Sequence, residues 1–420
     1  MRDTSRSRHL VKGSAILIAL AALAAAQLSV QRSVDAQAPR GVNAPAFEVD
    51  PLWPRPLPNH WLLGAAIGVS VDAQDHVWII HRSSDTLNNS EKGLELKPPT
   101  GACCAGAPPV LEFDQAGNLL RHWGGPGQGY EWPDSNHGIF IDHKGNVWIG
   151  GNGGPDSHIL KFTKDGKFLM QIGKKGARRK PGAAAGTNEG DQAGFVGGSN
   201  DRENFGRVAK IFVDPKANEA YISDGYLNKR VAVLDADTGR MKRWWGAYGN
   251  KPDDAPLAPY NPAAPPAQQF RNPVHCADLS NDRLLYVCDR VGNRIQVFTS
   301  EGKFVKEGFF SKNTGNAGSV WDIAFSKDPK QAFIFIADGV NEKVHVVDRD
   351  TLQELTTFGD GGRQPGQFFG AHSIATDSKG NIFTTETYEG KRIQKFLNKG
   401  LARVTSPNQG TVWPAARSPR

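Results

Sequence analysis

A short β-rich unit recurs six times along the chain and constrains its fold more than any other feature. Each copy has an apolar strand, a tight polar turn and a second β-rich strand, and the clearest copy runs from Gly138 to Trp148 with Asp142 before its turn. The other copies begin at Gly68, Ile211, His275, Trp321 and His372. Repeats at roughly forty-residue spacing without a helical period are typical of propeller blades. The sequence therefore predicts an all-β, six-bladed β-propeller of four-stranded antiparallel blades.

Most units are followed by a third and a fourth strand, as at 294–298 and 303–305. The last unit has no fourth strand after Phe396, so we expect the N-terminal segment 47–50 to supply it and close the ring. This places one propeller at 39–400 and a C-terminal tail at 401–420. Gly/Pro-rich stretches are expected to be loops that connect strands or blades; they cover 83–109, 174–205 and 250–270.

The N-terminal 38 residues have the pattern of a secretory signal peptide. Basic residues up to Lys12 precede an apolar run of small residues from Ala15 to Ala26, which is too short to span a membrane. Cleavage after Ala26 and cleavage after Ala38 both fit the pattern. The mature protein is therefore expected to be secreted or periplasmic, with no membrane span.

The charge of the chain excludes some partner classes. Residues 1–38 contain five Lys/Arg and two Asp, so their removal lowers the formal net charge from +7 to +4. The basic loop 174–180 lacks interleaved aromatic residues, and it is interpreted as a solvated loop or, alternatively, a polyanion contact. No nucleic-acid partner is expected.

Three histidines occupy equivalent positions in alternate repeats. When the units are aligned on the residue that ends the first strand, the residues at the strand entrance are Ile67, His137, Ala209, His275, Trp321 and His372. First strands line the central channel of a propeller, so histidines in blades two, four and six converge from three sides on one point. Three imidazoles with an open fourth position are typical of a catalytic zinc site, although they also suit other divalent metals.

The residues just beyond the second strands are expected to overhang the histidine end of the channel. They are Arg82 in blade one, Tyr226 in blade three and Arg290 in blade four. Two cations and a phenol near a metal can hold a carboxylate, stabilise an oxyanion and move a proton. These three residues are the candidate catalytic groups.

The four cysteines allow two disulfides in an oxidising compartment. Cys103 and Cys104 are adjacent and form either a vicinal disulfide or two thiols. If the turn of blade four centres on Asp282, the antiparallel register pairs Ser280 with Leu284, Cys276 with Cys288 and His275 with Asp289. Cys276 and Cys288 are then either a cross-strand disulfide or buried thiols.

These residues resemble the peptidyl-α-hydroxyglycine α-amidating lyase family over about 63–396, with its NHL-type six-bladed propeller. The stretches that carry the resemblance are 77–82 (Val-Trp-Ile-Ile-His-Arg), 137–142, 222–230 (Ile-Ser-Asp-Gly-Tyr-Leu-Asn-Lys-Arg), 289–296 and 371–374 (Ala-His-Ser-Ile). The resemblance implies zinc ligands at His137, His275 and His372. It also implies a catalytic tyrosine at Tyr226 and functional arginines at Arg82 and Arg290.

The family reaction implied by the resemblance cleaves a carbinolamide C–N bond, so that a C-terminal α-hydroxyglycine becomes a peptide amide and glyoxylate. The substrate is then a small molecule or peptide with a carboxylate, bound by a monomer. The family's calcium site has Asp directly after the third histidine; here Ser373 occupies that position, which argues against Ca²⁺. The family's disulfide positions are held by Leu227 and Tyr286 instead.

Two other functions remain open on the sequence alone. The same metal could support hydrolysis of an ester or lactone, with metal-bound hydroxide as the nucleophile. Alternatively, the propeller is non-catalytic and binds a ligand or a protein on its rim. The alternating histidines favour an enzyme, because a scaffold has no need for them.

Overall fold

The computed structural model describes residues 41–182 and 194–414, and strands dominate it. The expected signal peptide lies outside the described residues. In chain order the strands are β1 Asn43–Asp50, β2 Trp61–Leu62, β3 Ala66–Val71, β4 Val77–His81, β5 Ala105–Gly106, β6 Val110–Phe113, β7 Leu119–Trp123, β8 Asn136–Ile141, β9 Asn146–Gly151, β10 His158–Thr163, β11 Phe168–Gly173, β12 Val208–Asp214, β13 Glu219–Asp224, β14 Arg230–Asp235, β15 Met241–Trp245, β16 Val274–Leu279, β17 Leu284–Asp289, β18 Arg294–Thr299, β19 Phe304–Phe309, β20 Asp322–Phe325, β21 Phe333–Asp338, β22 Lys343–Asp348, β23 Glu354–Phe358, β24 Ala371–Thr376, β25 Ile382–Glu386 and β26 Arg392–Arg403. Two short 3₁₀ helices span Ser83–Thr86 and Ala247–Gly249.

Six four-stranded antiparallel sheets form the blades, and the predicted six-bladed β-propeller is confirmed. Blade one has the order β3-β4-β6-β7, blades two to five are β8–β11, β12–β15, β16–β19 and β20–β23, and blade six is β24-β25-β26-β1. The first strands of neighbouring blades contact one another in a closed ring around the channel. β2 and β5 form a small parallel pair beside blade one.

The N-terminal strand closes the ring, as predicted. β1 pairs with β26 from Asn43 opposite Arg403 to Asp50 opposite Lys395. β26 continues to Arg403, and the chain then returns along blade six, where the N–H of Val49 donates to the carbonyl of Val412 at 2.8 Å. β26 is therefore paired on both sides, with β25 and with β1.

The Asp that ends the first strand has a local structural role in four units, while Ser280 and Ser326 stand at this position in blades four and five. In blade two, Oδ1 of Asp142 accepts from the N–H groups of Lys144 and Asn146 at 2.9 and 2.8 Å, and Oδ2 accepts from Nε1 of Trp148 at 2.9 Å. Gly145 lies at φ +78°, which favours glycine. The Asp and Gly of the unit thus fix the turn between first and second strands.

A β-bulge lies at the entrance of five first strands. In blade four it changes the strand pairing from the one predicted. In blade four, Cys276 pairs with Cys288 as expected, but Val274 pairs with Asp289, so the predicted partnership of His275 with Asp289 is wrong. The register shifts in the same way at the entrances of β3, β8, β12 and β24. The extra residue is left without a ladder partner, and its side chain is re-aimed. His137, His275 and His372 all lie in such bulges.

Both cysteine pairs are disulfides. Cys103 and Cys104 are joined in the loop that follows blade one's second strand, and Cys276 is joined to Cys288 across β16 and β17. Among the described residues no cysteine is free, and no helix is long and apolar enough to cross a membrane. The disulfides fit a protein of an oxidising compartment.

Candidate metal centre

The three histidines at the blade entrances lie together on the channel axis. One ligand atom from each of His137, His275 and His372 lies within 4.8 Å of the others, and the ring centroids are 4.8 to 5.2 Å apart. All three side chains are buried. Alternate blades therefore bring three imidazoles to one point, which is the geometry a metal ion with nitrogen ligands needs.

Carbonyls from odd-numbered blades orient two of the three histidines. Nδ1 of His137 donates to the carbonyl of Ala209 at 2.6 Å, and Nδ1 of His275 donates to the carbonyl of Trp321. The carbonyl of Ile67 lies on the corresponding side of His372, outside hydrogen-bond geometry. Because a carbonyl only accepts, Nδ1 of His137 and of His275 carries the proton, and Nε2 of each ring keeps a lone pair toward the axis.

The environment keeps these imidazoles neutral. Burial lowers the pKa of His137, His275 and His372 well below the ordinary value, and the positive charge of Arg290 lowers each pKa further. Neutral imidazoles with facing lone pairs are the protonation state that binds a metal ion. The donor set therefore fits a divalent metal such as zinc.

The described residues include two other groups of potential metal ligands. In both groups the carboxylates already pair with a lysine or arginine side chain. In the group Asp72, His76 and Glu112, Lys164 donates to Asp72 at 2.7 Å and Arg121 pairs with Glu112. Their carboxylates are therefore neutralised locally.

In the second group, Cys276 is in a disulfide, while Asp278 and Asp322 both pair with Lys210. Burial opposes the charge of Lys210, but the two carboxylates more than offset it and raise its pKa. Ser373, which stands where a calcium ligand was considered, donates to Asp322 instead.

Tyr226 and Arg290 lie directly over the histidines. The Tyr226 hydroxyl is 2.9 Å from Nε2 of His137 and 3.0 Å from Nε2 of His275. Arg290 donates to the Tyr226 oxygen at 3.2 Å, and its guanidinium stacks 4.4 Å above the ring of Trp321. The end of β13 and the end of β17 thus place a phenol and a cation at the expected rim.

Arg82 lies at the same rim, on the side of blade two. It donates to the side chain of Asn152 at 3.0 Å. Burial lowers the pKa of Arg82, while the phenols of Tyr226 and Tyr388 oppose the shift. The structure therefore places all six residues singled out by the sequence around one end of the channel.

Comparisons with known proteins add relatives at low sequence identity. The chain is 26% identical over 306 residues to NHL repeat-containing protein 3 of Mus musculus, which covers 70% of the chain and 65% of that protein. It is 22% identical over 379 residues to peptidyl-alpha-hydroxyglycine alpha-amidating lyase 1 of Drosophila melanogaster, with 84% of the chain and 60% of that protein covered. Its relatives include amidating lyases and NHL-repeat proteins.

A third relative is the peptidyl-glycine alpha-amidating monooxygenase of Mus musculus, at 24% identity over 299 residues. That match covers 70% of the chain and 26% of the monooxygenase. The chain thus spans less than two thirds of the length of each of these relatives. No protein-family model matches the chain.

Two aromatic residues at this rim were given no role by the sequence. Trp321 lies with its ring centroid 5.4 Å from His372, and Tyr388 lies 6.4 Å from Trp321 with 53% of its surface exposed. Tyr388 follows the end of β25 by two residues, as Tyr226 follows the end of β13. The sequence alone could have shown this equivalence, because each tyrosine lies two residues after the acidic residue that ends its second strand.

Tyr388 completes a regular arrangement around the rim. Arginines stand in blades one and four, and tyrosines stand in blades three and six, so each residue type recurs on the opposite side of the channel. The lysine beneath the histidines, Lys210, was also missed. Its partners come from other blades and are not visible in any local motif.

Proposed function

We propose that the chain is an exported, metal-dependent lyase that cleaves the C–N bond of an α-hydroxyglycine-type amide, giving an amide and glyoxylate. The observation that carries the proposal is the position of the Tyr226 hydroxyl, within 3.0 Å of Nε2 on two of the three converging histidines. A phenol at that distance can reach a substrate hydroxyl bound at the histidines. The amidating-lyase relatives support the reaction class.

His137, His275 and His372 would hold the metal, and zinc is the ion we propose. When bound, zinc supplies Lewis acidity at the substrate oxygen and helps to orient the substrate. The carbonyls of Ala209 and Trp321 hold two of the rings in the ligand orientation. Such outer contacts fix ring direction and ligand basicity.

Tyr226 would act as the base. In its phenolate form it takes the proton from the carbinol hydroxyl, the carbon–oxygen double bond of glyoxylate forms, and the C–N bond breaks with its electron pair leaving on the amide nitrogen. That nitrogen then takes up the proton from the Tyr226 hydroxyl, so the products are a primary amide and glyoxylate and the phenolate is restored. Arg290 donates to the phenol oxygen at 3.2 Å and stabilises the phenolate before it accepts the proton.

Arg82 would bind the substrate carboxylate. Arg290 already contacts Tyr226 and Trp321, whereas Arg82 approaches the site from blade two's side of the rim. A guanidinium can bind a carboxylate through two parallel hydrogen bonds, which fixes the substrate's orientation. The two arginines thus have different proposed roles.

Metal content is the first test. We expect the purified protein to hold about one zinc per chain, and His275→Ala to lose it, because two imidazoles remain where three are needed. His143→Ala, which changes an exposed turn histidine, is the matched control and should keep the metal. A wild-type protein without bound metal would contradict the proposal.

Product analysis is the second test. Incubation of the zinc-loaded protein with an α-hydroxyglycine peptide should release glyoxylate and the peptide amide in equal amounts. Absence of glyoxylate, with ester or lactone hydrolysis in the same sample, would assign the site to a hydrolase instead.

A second candidate function is a non-catalytic, ligand-binding propeller. It is favoured by the match to an NHL repeat-containing protein, whose name assigns no reaction. The two tests above separate the candidates, since a scaffold predicts neither stoichiometric zinc nor glyoxylate.

A further inference from the structure

An ion-pair network lies directly along the channel from the histidines and joins four blades. Nζ of Lys210, on β12, pairs with Asp278 of β16 at 2.7 Å and with Asp322 of β20. Asp322 in turn accepts from the hydroxyl of Ser373 and from the N–H of Ile374 at 3.1 Å, both on β24. Lys210 and both carboxylates have little exposed side-chain surface.

Three members of this network, Lys210, Asp322 and Ser373, are adjacent in sequence to a histidine or to a residue that orients one. Lys210 follows Ala209, whose carbonyl accepts from His137. Asp322 follows Trp321, whose carbonyl accepts from His275. Ser373 follows His372 itself. Lys210 is therefore connected to all three imidazoles. Lys210 is next to Ala209, which contacts His137, and its partner Asp322 is next to Trp321, which contacts His275. Asp322 also accepts from Ser373, which is next to His372.

We propose that Lys210 is a positioning residue for the metal centre: its ammonium group holds β12, β20 and β24 in the register that brings the three histidines together. The inference rests on the proposed function, because it concerns the metal site assigned there. Lys210 would touch neither metal nor substrate. It acts through Ala209, through Asp322 next to Trp321, and through Ser373.

The histidines need such a device because of where they lie. His137, His275 and His372 occupy β-bulges, so the ladder hydrogen bonds of the blades do not fix them directly. Blades two, four and six contribute one histidine each, and a shift of one first strand along the axis would separate the ligand atoms. Cross-blade ion pairs one residue further along oppose that shift.

The network and the histidines pack closely against one another. The space between them is a cavity of about 10 Å³, lined by the three histidines, Lys210, Asp322 and Ser373 among others. This is about the volume that one water molecule needs. A shift of Lys210 therefore acts on side chains that line the same small cavity as the three histidines.

The test compares metal binding by the wild-type protein, Lys210→Met, Ser373→Ala and Thr376→Val. Each protein is stripped with a chelator, its Zn²⁺ affinity is measured by competition with a chromophoric chelator, and the Co²⁺-loaded form is recorded by visible absorption. Thr376→Val is the matched control: its hydroxyl also bridges β24 to blade five, donating to the carbonyl of Phe325 at 2.9 Å, but it lies outside the network.

We expect Lys210→Met to weaken zinc binding by about 10- to 100-fold, the range found when outer-sphere partners of metal ligands are removed. Ser373→Ala should weaken it in the same direction, and both should change the Co²⁺ bands, which report ligand geometry rather than stability. Thr376→Val should match the wild type in both measurements.

A folded Lys210→Met protein with wild-type affinity and wild-type Co²⁺ bands would overturn the inference and leave the proposed function intact. If Lys210→Met does not fold, Ser373→Ala decides in the same way, since it removes one hydroxyl and no charge. A wild-type protein that binds no zinc would overturn the proposed function together with the inference.

Discussion

At the scale of single residues, a change at the Tyr226 hydroxyl should separate the proposed turnover from metal binding. It lies over His137 and His275 but on the opposite side of the rings from their carbonyl partners. Tyr226→Phe removes the proton acceptor and leaves all three imidazoles. We expect turnover to fall by about 10²- to 10⁴-fold, the usual contribution of general acid–base catalysis, with zinc content unchanged. Glyoxylate release and metal analysis on one sample measure both.

Tyr260→Phe provides the control for that substitution. The Tyr260 hydroxyl donates to the carbonyl of Lys312 at 2.7 Å, away from the histidines, and its loss should leave turnover unchanged. Full activity in Tyr226→Phe would show that another group takes the proton.

The histidines themselves could be found from the sequence because they recur at one aligned position in alternate repeats. The bulges that aim them could not, since a bulge is an offset between two strands and has no residue signature at His275. The predicted pairing of His275 with Asp289 failed for this reason. Lys210 was missed on similar grounds, because Asp278 and Asp322 lie 68 and 112 residues further along.

At the scale of elements, an ion pair joins the second and third strands in several blades. It links Asp224 to Arg230, Asp289 to Arg294 and Glu386 to Arg392, at 2.6 to 2.8 Å. Blade five differs, because Asp338 pairs with His345 of β22 instead, while Lys343 occupies the register position of the arginine. Its ring lies between Asp338, at 3.0 Å from Nε2, and Glu354.

This substitution makes blade five sensitive to pH. Burial opposes the charge of His345, but hydrogen bonds to Asp338 and Glu354 more than offset it and raise its pKa to about 9. The folded state thus holds a proton that the unfolded chain releases near pH 6.5. The stabilisation, about 3 kcal/mol for such a shift, is complete below pH 6.5 and is lost as pH rises through 9.

Urea unfolding at pH 6 and at pH 9.5 measures the effect. The wild type should lose stability between the two values, and His345→Gln should lose less because it has no proton to release. His143→Gln, at an exposed position, should behave as the wild type. An equal pH dependence in wild type and His345→Gln would assign the loss to other groups.

At the scale of the whole molecule, ring closure was predictable because the blade count and the missing outer strand after Phe396 both pointed to the N-terminal segment. In the structure that strand spans Asn43–Asp50. The chain also returns after β26, so that the carbonyl of Val412 accepts from the N–H of Val49. The sequence pattern around each segment predicts neither the length of β1 nor the contact at Val412, since both depend on contacts between the two ends of the described chain. The loops at 83–109 and 250–270 could be recognised as loops, but their paths over the rim could not.

Closure by β1 should control the metal centre, although β1 carries no ligand. Phe47 packs with its ring centroid 5.2 Å from both Phe335 and Phe358, and Val49 is buried in the same cluster. Loss of a buried phenylalanine alone costs about 3 to 5 kcal/mol, a large part of the roughly 5 to 15 kcal/mol that stabilises a typical domain. A chain that begins at Pro51 also exposes the edge of β26 for pairing with other chains.

We therefore expect the chain that begins at Pro51 to melt at lower temperature, to associate, and to lose zinc, because His372 lies on β24 of the opened blade. A chain that begins at Gly41 keeps β1 and is the matched control, expected to retain both melting temperature and zinc. Thermal melting, light scattering and metal analysis of the two chains measure the difference. If the shorter chain keeps its zinc and its melting temperature, the ring does not depend on β1, and the histidines are held by the inner strands and the Lys210 network alone.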